Sequence, residues 1–253
     1  MDDSRFLECL AADFARLRAV ASTDLAATVP TCPDWTVADL ARHVGQAYLF
    51  KTVTMREGAE PDPWPPAGLA EEEPLALLDR AYADLTAEFA ARDPEDPADT
   101  WYAPDQSVRF FIRRMAQETV IHRVDAELAT GRPVAPIPAD LAVEGIDDLL
   151  KVFVSYSVRE YGDHFAEILA DSPGRTYAVR TDSASWRVRT GPGQFEVEDG
   201  DDDKAEVTIS GTPGDVLRWA WNRTVGPEPS RVTVDGTAEA LEDLLRCIAA
   251  VTQ

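Results

Sequence analysis

The sequence predicts an α+β protein of two domains, because the spacing of its apolar residues changes once along the chain. Up to about residue 170, apolar side chains recur every three or four residues, as in amphipathic helices. After Ser172, Pro173 and Gly174 the period changes to two, in short runs rich in valine, threonine and aromatic residues. We therefore predict a helical domain over residues 1–170 and a small α+β domain with a mainly antiparallel sheet over residues 171–253.

The helical domain is expected to hold five helical regions. The first carries apolar positions from Phe6 to Val20, with Ser4 as its N-cap. The second begins after Thr36, where Thr36 and Asp39 have the spacing of a capping box. The remaining regions are predicted over residues 74–92, 107–129 and 139–169, the last of them broken near Gly162.

The second domain is expected to combine short strands with two helices. Strands are predicted over residues 176–181, 185–190, 194–198, 205–209 and 231–234, and helices over residues 212–222 and 237–251. The acidic run at residues 199–203 lacks the ligand spacing and the distal glutamate of a calcium-binding loop, so we interpret it as a solvated turn.

Composition excludes several classes of function. The chain of 253 residues has 24 Lys+Arg against 46 Asp+Glu, a net charge of −22, which disfavours binding to nucleic acids or to anionic membranes. No apolar run is long enough for a transmembrane helix, and residues 1–5 do not resemble a secretory signal. The three cysteines are too few and too far apart to form a disulfide framework. We expect a cytoplasmic protein, either a monomer or a homodimer.

Histidine chemistry must use His43, His122 or His164, because the chain has only three histidines. Glu118 and His122 stand one turn apart on a helix face that is predicted to point into the bundle. Such a pair can offer one oxygen and one nitrogen to the same cation, and His43, at the edge of another apolar face, could be the third ligand. The alternative is a simple salt bridge between Glu118 and His122, with His43 as an ordinary core residue.

Two segments carry a resemblance to a known family. Residues 29–45 read VPTCPDWTVADLARHVG, and residues 118–127 read ETVIHRVDAE. Both resemble metal-ligand motifs of the mycothiol-dependent maleylpyruvate isomerase family. Residues 209–215 and 219–223, which read ISGTPGD and WAWNR, are similar to segments of its C-terminal domain. The resemblance therefore spans nearly the whole chain.

The resemblance implies a fold, a metal and a thiol cofactor. It implies a DinB-like four-helix bundle followed by an α+β domain similar to sterol-carrier modules. It also implies a divalent metal, generally zinc, held by His43, Glu118 and His122, with mycothiol, the abundant small thiol of actinobacteria, as the second cofactor. Three protein ligands leave a coordination position open, which is typical of catalytic zinc sites.

Two further residues are candidates for catalysis. Asp125 lies on the same stripe as His122 and could orient a ligand histidine, although a salt bridge to Arg123 or to a neighbouring helix is an equal alternative. Arg223 is the better match to the arginine that the family places in its pocket wall. Arg218 is the competing match, and a surface role for Arg223 is the alternative. Because a bulky thiol cannot reach a sealed bundle core, we expect the metal to face a pocket between the domains.

Three functions are consistent with these patterns. The first is a metal- and mycothiol-dependent enzyme, an isomerase or thiol transferase, acting on a small electrophilic substrate that could carry a carboxylate. The second is a metal-binding protein or regulator without catalysis. The third is a carrier that binds an apolar ligand in its C-terminal domain.

Overall fold

The computed structural model describes residues 1–170, 172–225 and 230–252, apart from the side chains of residues 164 and 166. His164, the third histidine, therefore has its side chain outside the described part. The chain divides into two compact units, Met1–Ala135 and Pro136–Gln253. Helices fill the first unit, and the second contains a sheet with its own helices, which confirms the predicted α+β class.

The first unit, all of whose residues are described, is a bundle of four α-helices. They are α1 (Asp3–Ala21), α2 (Val37–Glu57), α3 (Pro74–Ala90) and α4 (Val108–Ala129), with a short 3₁₀ helix at Leu69–Glu71. Helix α1 packs against α4, and α2 packs against both α3 and α4. Leucines form much of the core, including Leu10, Leu17, Leu40, Leu77, Leu78 and Leu85.

The helix ends follow from capping residues. Asp2, and not the predicted Ser4, caps α1, because its side chain accepts a hydrogen bond from the backbone of Arg5. The predicted capping box is present at α2, where Thr36 and Asp39 bond reciprocally to each other's backbone. Helix α2 ends at Gly58, whose φ of 70° is in the left-handed region that favours glycine.

A small hairpin precedes α2 and was not predicted. Strand β1 (Thr28–Val29) pairs antiparallel with β2 (Cys32–Thr36), and their register places Thr28 opposite Thr36. The two-residue strand is too short to produce an alternating pattern in the sequence. The hairpin leads directly into the N-cap of α2 and contacts both α2 and α4.

The second unit is built on a mixed sheet. Its helical elements are α5 (Ala139–Asp147), a π-helical segment (Asp148–Ser155), α6 (Tyr156–Glu160), α7 (Gly162–Leu169), α8 (Pro213–Ala220) and α9 (Ala238–Thr252). Its strands are β3 (Thr176–Arg180), β4 (Ser185–Gly191), β5 (Gln194–Asp199), β6 (Val207–Ser210) and β7 (Thr233–Asp235). The described strands pair in the order β5-β4-β3-β6-β7, and β3 with β6 is the parallel pair. The predicted, mainly antiparallel sheet is confirmed.

Residues 136–170 group with the second unit and not with the helical domain that the sequence predicts over residues 1–170. Helix α5 packs against α8, and the π-helical segment packs against β5. The indole nitrogen of Trp186 donates to Asp147 at 3.0 Å, and the Ser155 hydroxyl donates to the carbonyl of Phe195 at 2.9 Å. Helical periodicity shows that a segment buries one face but not which core it joins, so the two boundaries differ.

Among the described residues, every helix is either too short or too polar to cross a lipid bilayer.

Candidate metal centre

Helices α2 and α4 bring the three predicted metal ligands together. His43 lies on α2, and Glu118 and His122 lie one turn apart on α4. The Nε2 atom of His43 is 3.1 Å from Oε1 of Glu118, and Nε2 of His122 is 3.2 Å from the same oxygen. Both imidazoles therefore point at one carboxylate oxygen.

The spacing of these donor atoms fits a small tetrahedral cation. One ligand atom from each of His43, Glu118 and His122 lies within 4.8 Å of the other two. Ligands about 2.0–2.1 Å from a tetrahedral zinc ion are about 3.3 Å apart, close to the two nitrogen–oxygen distances in the structure. The side chain of His43 is 41% exposed, against 19% for Glu118 and 10% for His122, so the cluster is open to solvent on the α2 side.

The cluster is strongly coupled in its charges. Burial alone would raise the pKa of Glu118, but hydrogen bonds and charges from His122 and His43 hold it well below its usual range. Burial would lower the pKa of His122, but hydrogen bonds to Asp125 and Glu118 raise it to about 9. Near neutral pH the protonated imidazole of His122 therefore faces the ionised carboxylate of Glu118.

Asp125 fixes the orientation of one candidate ligand. Nδ1 of His122 donates to Oδ2 of Asp125 at 2.9 Å, and the hydroxyl of Thr31 donates to Oδ1 at 2.6 Å. Asp125 is fully buried, so the contact is protected from water. A carboxylate that holds one ring nitrogen leaves the other directed at the common centre, as in many zinc sites. Asp125 therefore makes the hydrogen bond to His122 that the sequence leaves open beside a salt bridge to Arg123 or to a neighbouring helix.

Two hairpin residues without a predicted site role lie against the cluster. The ring of Trp35 lies 4.8 Å from that of His43 and 6.5 Å from that of His122, measured between centroids. Thr31 reaches Asp125 from the turn between β1 and β2. Both residues lie within the motif at 29–45, but neither is titratable, and the hairpin that positions them was not predicted.

Buried polar residues of α2 and α4 lie near Glu118 in the bundle. Nη2 of Arg114 is 3.7 Å from Oε2 of Glu118, the oxygen that does not face the histidines. The hydroxyl groups of Tyr48 and Thr119 share a hydrogen bond of 2.6 Å, and Thr119 also donates to the carbonyl of Met115 at 2.5 Å. These contacts hold in place the segment of α4 that carries Glu118.

Arg223, the predicted arginine, lies in the second unit just after α8. It is buried, its Nη1 atom donates to the carbonyl of Trp221 at 2.5 Å, and its guanidinium lies 5.9 Å from the centroid of the Trp221 ring. The competing residue, Arg218, donates from Nε and Nη2 to the carbonyl of Arg223 at 3.2 and 3.1 Å. Arg218 therefore supports the backbone that carries Arg223.

Comparison with known proteins agrees with the resemblance in the sequence. The family model for the mycothiol maleylpyruvate isomerase N-terminal domain matches residues 7–127, and the model for the MDMPI C-terminal domain matches residues 140–243. A search of curated proteins finds no match.

Two crystal structures of the mycothiol-dependent maleylpyruvate isomerase have a similar fold. The structure of a histidine-to-alanine mutant has a TM-score of 0.65 at 15% identity and covers 93% of each chain. A second structure has a TM-score of 0.63 at 16% identity, again over 93% of each chain. At this identity the likeness shows a shared two-domain α+β fold. Since the two family models together cover most of the sequence, the chain belongs to the mycothiol maleylpyruvate isomerase family.

Proposed function

We propose that this protein is a divalent-metal-dependent enzyme that uses mycothiol as its thiol cofactor, an isomerase or thiol transferase acting on a small electrophilic substrate. The observation that carries the proposal is the approach of His43 and His122, each through Nε2, to one oxygen of Glu118. Two imidazoles and one carboxylate suit zinc, and three protein ligands are the usual number for a catalytic site.

Each residue of the cluster has a definite task in this proposal. His43, Glu118 and His122 would hold the metal, and Asp125 would keep Nδ1 of His122 protonated so that Nε2 stays available. When bound, a divalent metal with an open position supplies a Lewis acid that favours the thiolate form of a thiol. The indole of Trp35, next to His43, would limit the access of water to one side of the centre.

The choice of mycothiol rests on family membership and on access. Both family models are those of a mycothiol-dependent isomerase. The exposure of His43 leaves the cluster open to a bulky cofactor, which a sealed core would exclude.

We also propose Arg223 as a substrate-binding arginine, with Arg218 as the residue that supports its backbone.

The decisive experiment is a turnover assay on metal-loaded protein. Purified protein is loaded with zinc and incubated with mycothiol and a panel of electrophiles, including cis-alkenes and epoxides. Isomerised products are identified by NMR, because isomers have equal mass, and thiol adducts by mass spectrometry. We expect turnover that requires both metal and mycothiol, that glutathione does not support, and that is lost in Glu118→Gln. Failure to bind zinc would reject the metal centre, and zinc binding without any thiol-dependent turnover would indicate a non-catalytic metal-binding protein.

A further inference from the structure

Lys51 differs from the other two lysines of the chain, Lys151 and Lys204. It is half-buried on α2, and its ammonium lies 4.6 Å from the ring centroid of Phe50 and 5.4 Å from that of Phe111. Among the described residues, no carboxylate oxygen lies within 4 Å of it. Lys151, also half-buried, is paired with two carboxylates at 2.5 and 2.6 Å. The charge of Lys51 therefore has aromatic neighbours and lacks a close counter-ion.

The helix positions place this ammonium about two turns from the metal centre, on the same pair of helices. Lys51 follows His43 by eight residues on α2, about 12 Å along the helix axis. Phe111 precedes Glu118 by seven residues on α4, and two turns return a side chain to the same face. Because the Lys51 ammonium lies near Phe111, it occupies the line of contact between α2 and α4, which we call the α2–α4 seam. Its place in the seam is towards the C-terminal end of α2 and the N-terminal end of α4 from the three candidate ligands.

Arg114 lies between Lys51 and the ligands. It is buried one turn before Glu118, with Nη2 3.7 Å from Oε2 of that residue. Burial lowers the pKa of Lys51, and the positive charge of Arg114 lowers it further. The negative charges of Glu60 and Glu118 act in the opposite direction but do not cancel these effects. The carboxylate of Glu118 pairs with Arg114 as well as with the two histidines, whereas none of the described carboxylates pairs with Lys51. Among the described residues, the ammonium of Lys51 thus feels the charges of Glu60 and Glu118 but is in direct contact with no carboxylate.

We propose that Lys51 and Arg114 form an anion-binding subsite in the α2–α4 seam, which holds a carboxylate group of the small molecule that reacts at the metal centre. This inference rests on the proposed function for the reaction, but the subsite itself belongs to the folded chain. A carboxylate would supply the close counter-ion that Lys51 lacks, and the guanidinium of Arg114, whose charge already acts on Lys51, offers further donors to its two oxygens. In a chain of net charge −22, such a local positive pair gives an anion a specific place to bind.

The small number of lysines allows the subsite to be observed directly. Reductive methylation with ¹³C-formaldehyde labels Lys51, Lys151 and Lys204, together with the α-amino group, and keeps their charge. The metal-free protein is then titrated with succinamate, which has one carboxylate, and with succinamide, which is neutral. We expect succinamate to move the NMR signal of Lys51, assigned with Lys51→Gln, and to leave the other two lysine signals in place. Succinamide should move none of them.

Variants test whether the charge of Lys51 holds the anion. Lys51→Gln should weaken succinamate binding by about tenfold or more, as expected for loss of a charged hydrogen-bonding partner, and Lys51→Arg should retain it. Lys151→Gln, which removes a lysine of similar burial, should leave the affinity unchanged. Equal affinity in Lys51→Gln and the unsubstituted protein, or equal shifts at all three lysines, would overturn the proposal.

The outcome is separable from that of the proposed function. Succinamate binding is measured without metal or thiol, so it remains observable if no thiol-dependent turnover is found. If turnover is found, Lys51→Gln should raise KM for a carboxylate-bearing electrophile relative to its amide, with little change for the amide itself. An equal loss for the acid and the amide would reject Lys51 as a determinant of specificity.

Discussion

Asp125 and His122 form a buried hydrogen bond of 2.9 Å between Oδ2 and Nδ1, and this bond directs Nε2 of the histidine towards Glu118. Thr31 holds the second oxygen of Asp125 at 2.6 Å from the turn of the hairpin. The chain therefore uses residues from two separate segments to orient one imidazole. Such an arrangement matters for metal affinity, because a ring that is fixed in advance loses little freedom when it binds.

The first prediction concerns this bond. Asp125→Asn keeps the size of the side chain but removes the charge that favours a protonated Nδ1. We expect zinc affinity to fall by about 10- to 100-fold, the usual effect of losing such a partner, as measured by competition with a chromogenic chelator. Thr31→Val, which leaves the carboxylate in place, should cause a smaller loss. Unchanged zinc affinity in Asp125→Asn would show that Asp125 serves only the fold.

The second prediction concerns His43, which we expect to be needed for metal binding and not for folding. Its side chain is 41% exposed, and it adds little to the buried core of the bundle. His43→Ala should lose bound zinc and thiol-dependent activity, while the metal-free protein changes its free energy of unfolding by about 1 kcal/mol or less. Elemental analysis and urea unfolding of the same preparation check both parts. An unfolded His43→Ala protein would show that the site is structural.

Local sequence signals predicted most of the elements but not their grouping. Thr36 and Asp39 predicted the start of α2 because a capping box is formed by residues three apart in sequence. The break near Gly162 was also predicted, and α6 and α7 separate there. The assignment of residues 136–170 to a core depends on contacts with β5 and α8, which follow much later in the chain. Periodicity within a helix contains no information on such contacts.

The candidate site was predictable to the extent that its residues are close in sequence. Glu118 and His122 lie four residues apart, so their shared face follows from helix geometry alone. His43 was included because histidines are scarce and because its motif resembles that of a known family. Lys51 and Arg114 gave no signal, since a lysine or arginine on an amphipathic helix is ordinarily solvated. Their common position in the α2–α4 seam results from the packing of α2 on α4.

The third prediction concerns the close contact between α2 and α3. A Cβ atom at Gly45 would lie 3.0 Å from Cγ of Leu77 and 3.2 Å from the Cα and N atoms of Leu78. Backbone atoms of a packed helix cannot move independently, so Gly45→Ala should separate the helices and cost about 1–3 kcal/mol of unfolding free energy. Gly162→Ala is the matched control, because a Cβ there has no atom within 4 Å. Equal stability of the two variants in urea would contradict the contact.

The last prediction concerns the pH dependence of stability, through Glu88 on α3. Its two carboxylate oxygens accept hydrogen bonds of 2.7 Å from Nε of Arg56, on α2, and from Nε of Arg92. Arg92 also donates to the carbonyl of Met55 at 2.7 Å, so Glu88 links the ends of two helices. Burial would raise the pKa of Glu88, but the hydrogen bonds and charges of Arg56 and Arg92 lower it below its usual 4.5.

The sign of the effect follows from this lowered pKa. An acid with a lower pKa in the folded state contributes stability above its unfolded pKa, near 4.5, and loses it as the pH falls through the folded value. Glu88→Gln should therefore cost about 1 kcal/mol at neutral pH, typical of a partly exposed charged pair, and progressively less as the solution is acidified below pH 4.5. Urea unfolding across this range checks it, with Glu57→Gln, an exposed site on α2, as the control. A loss in Glu88→Gln that stays constant with pH would mean that shape and packing, and not charge, account for the role of Glu88.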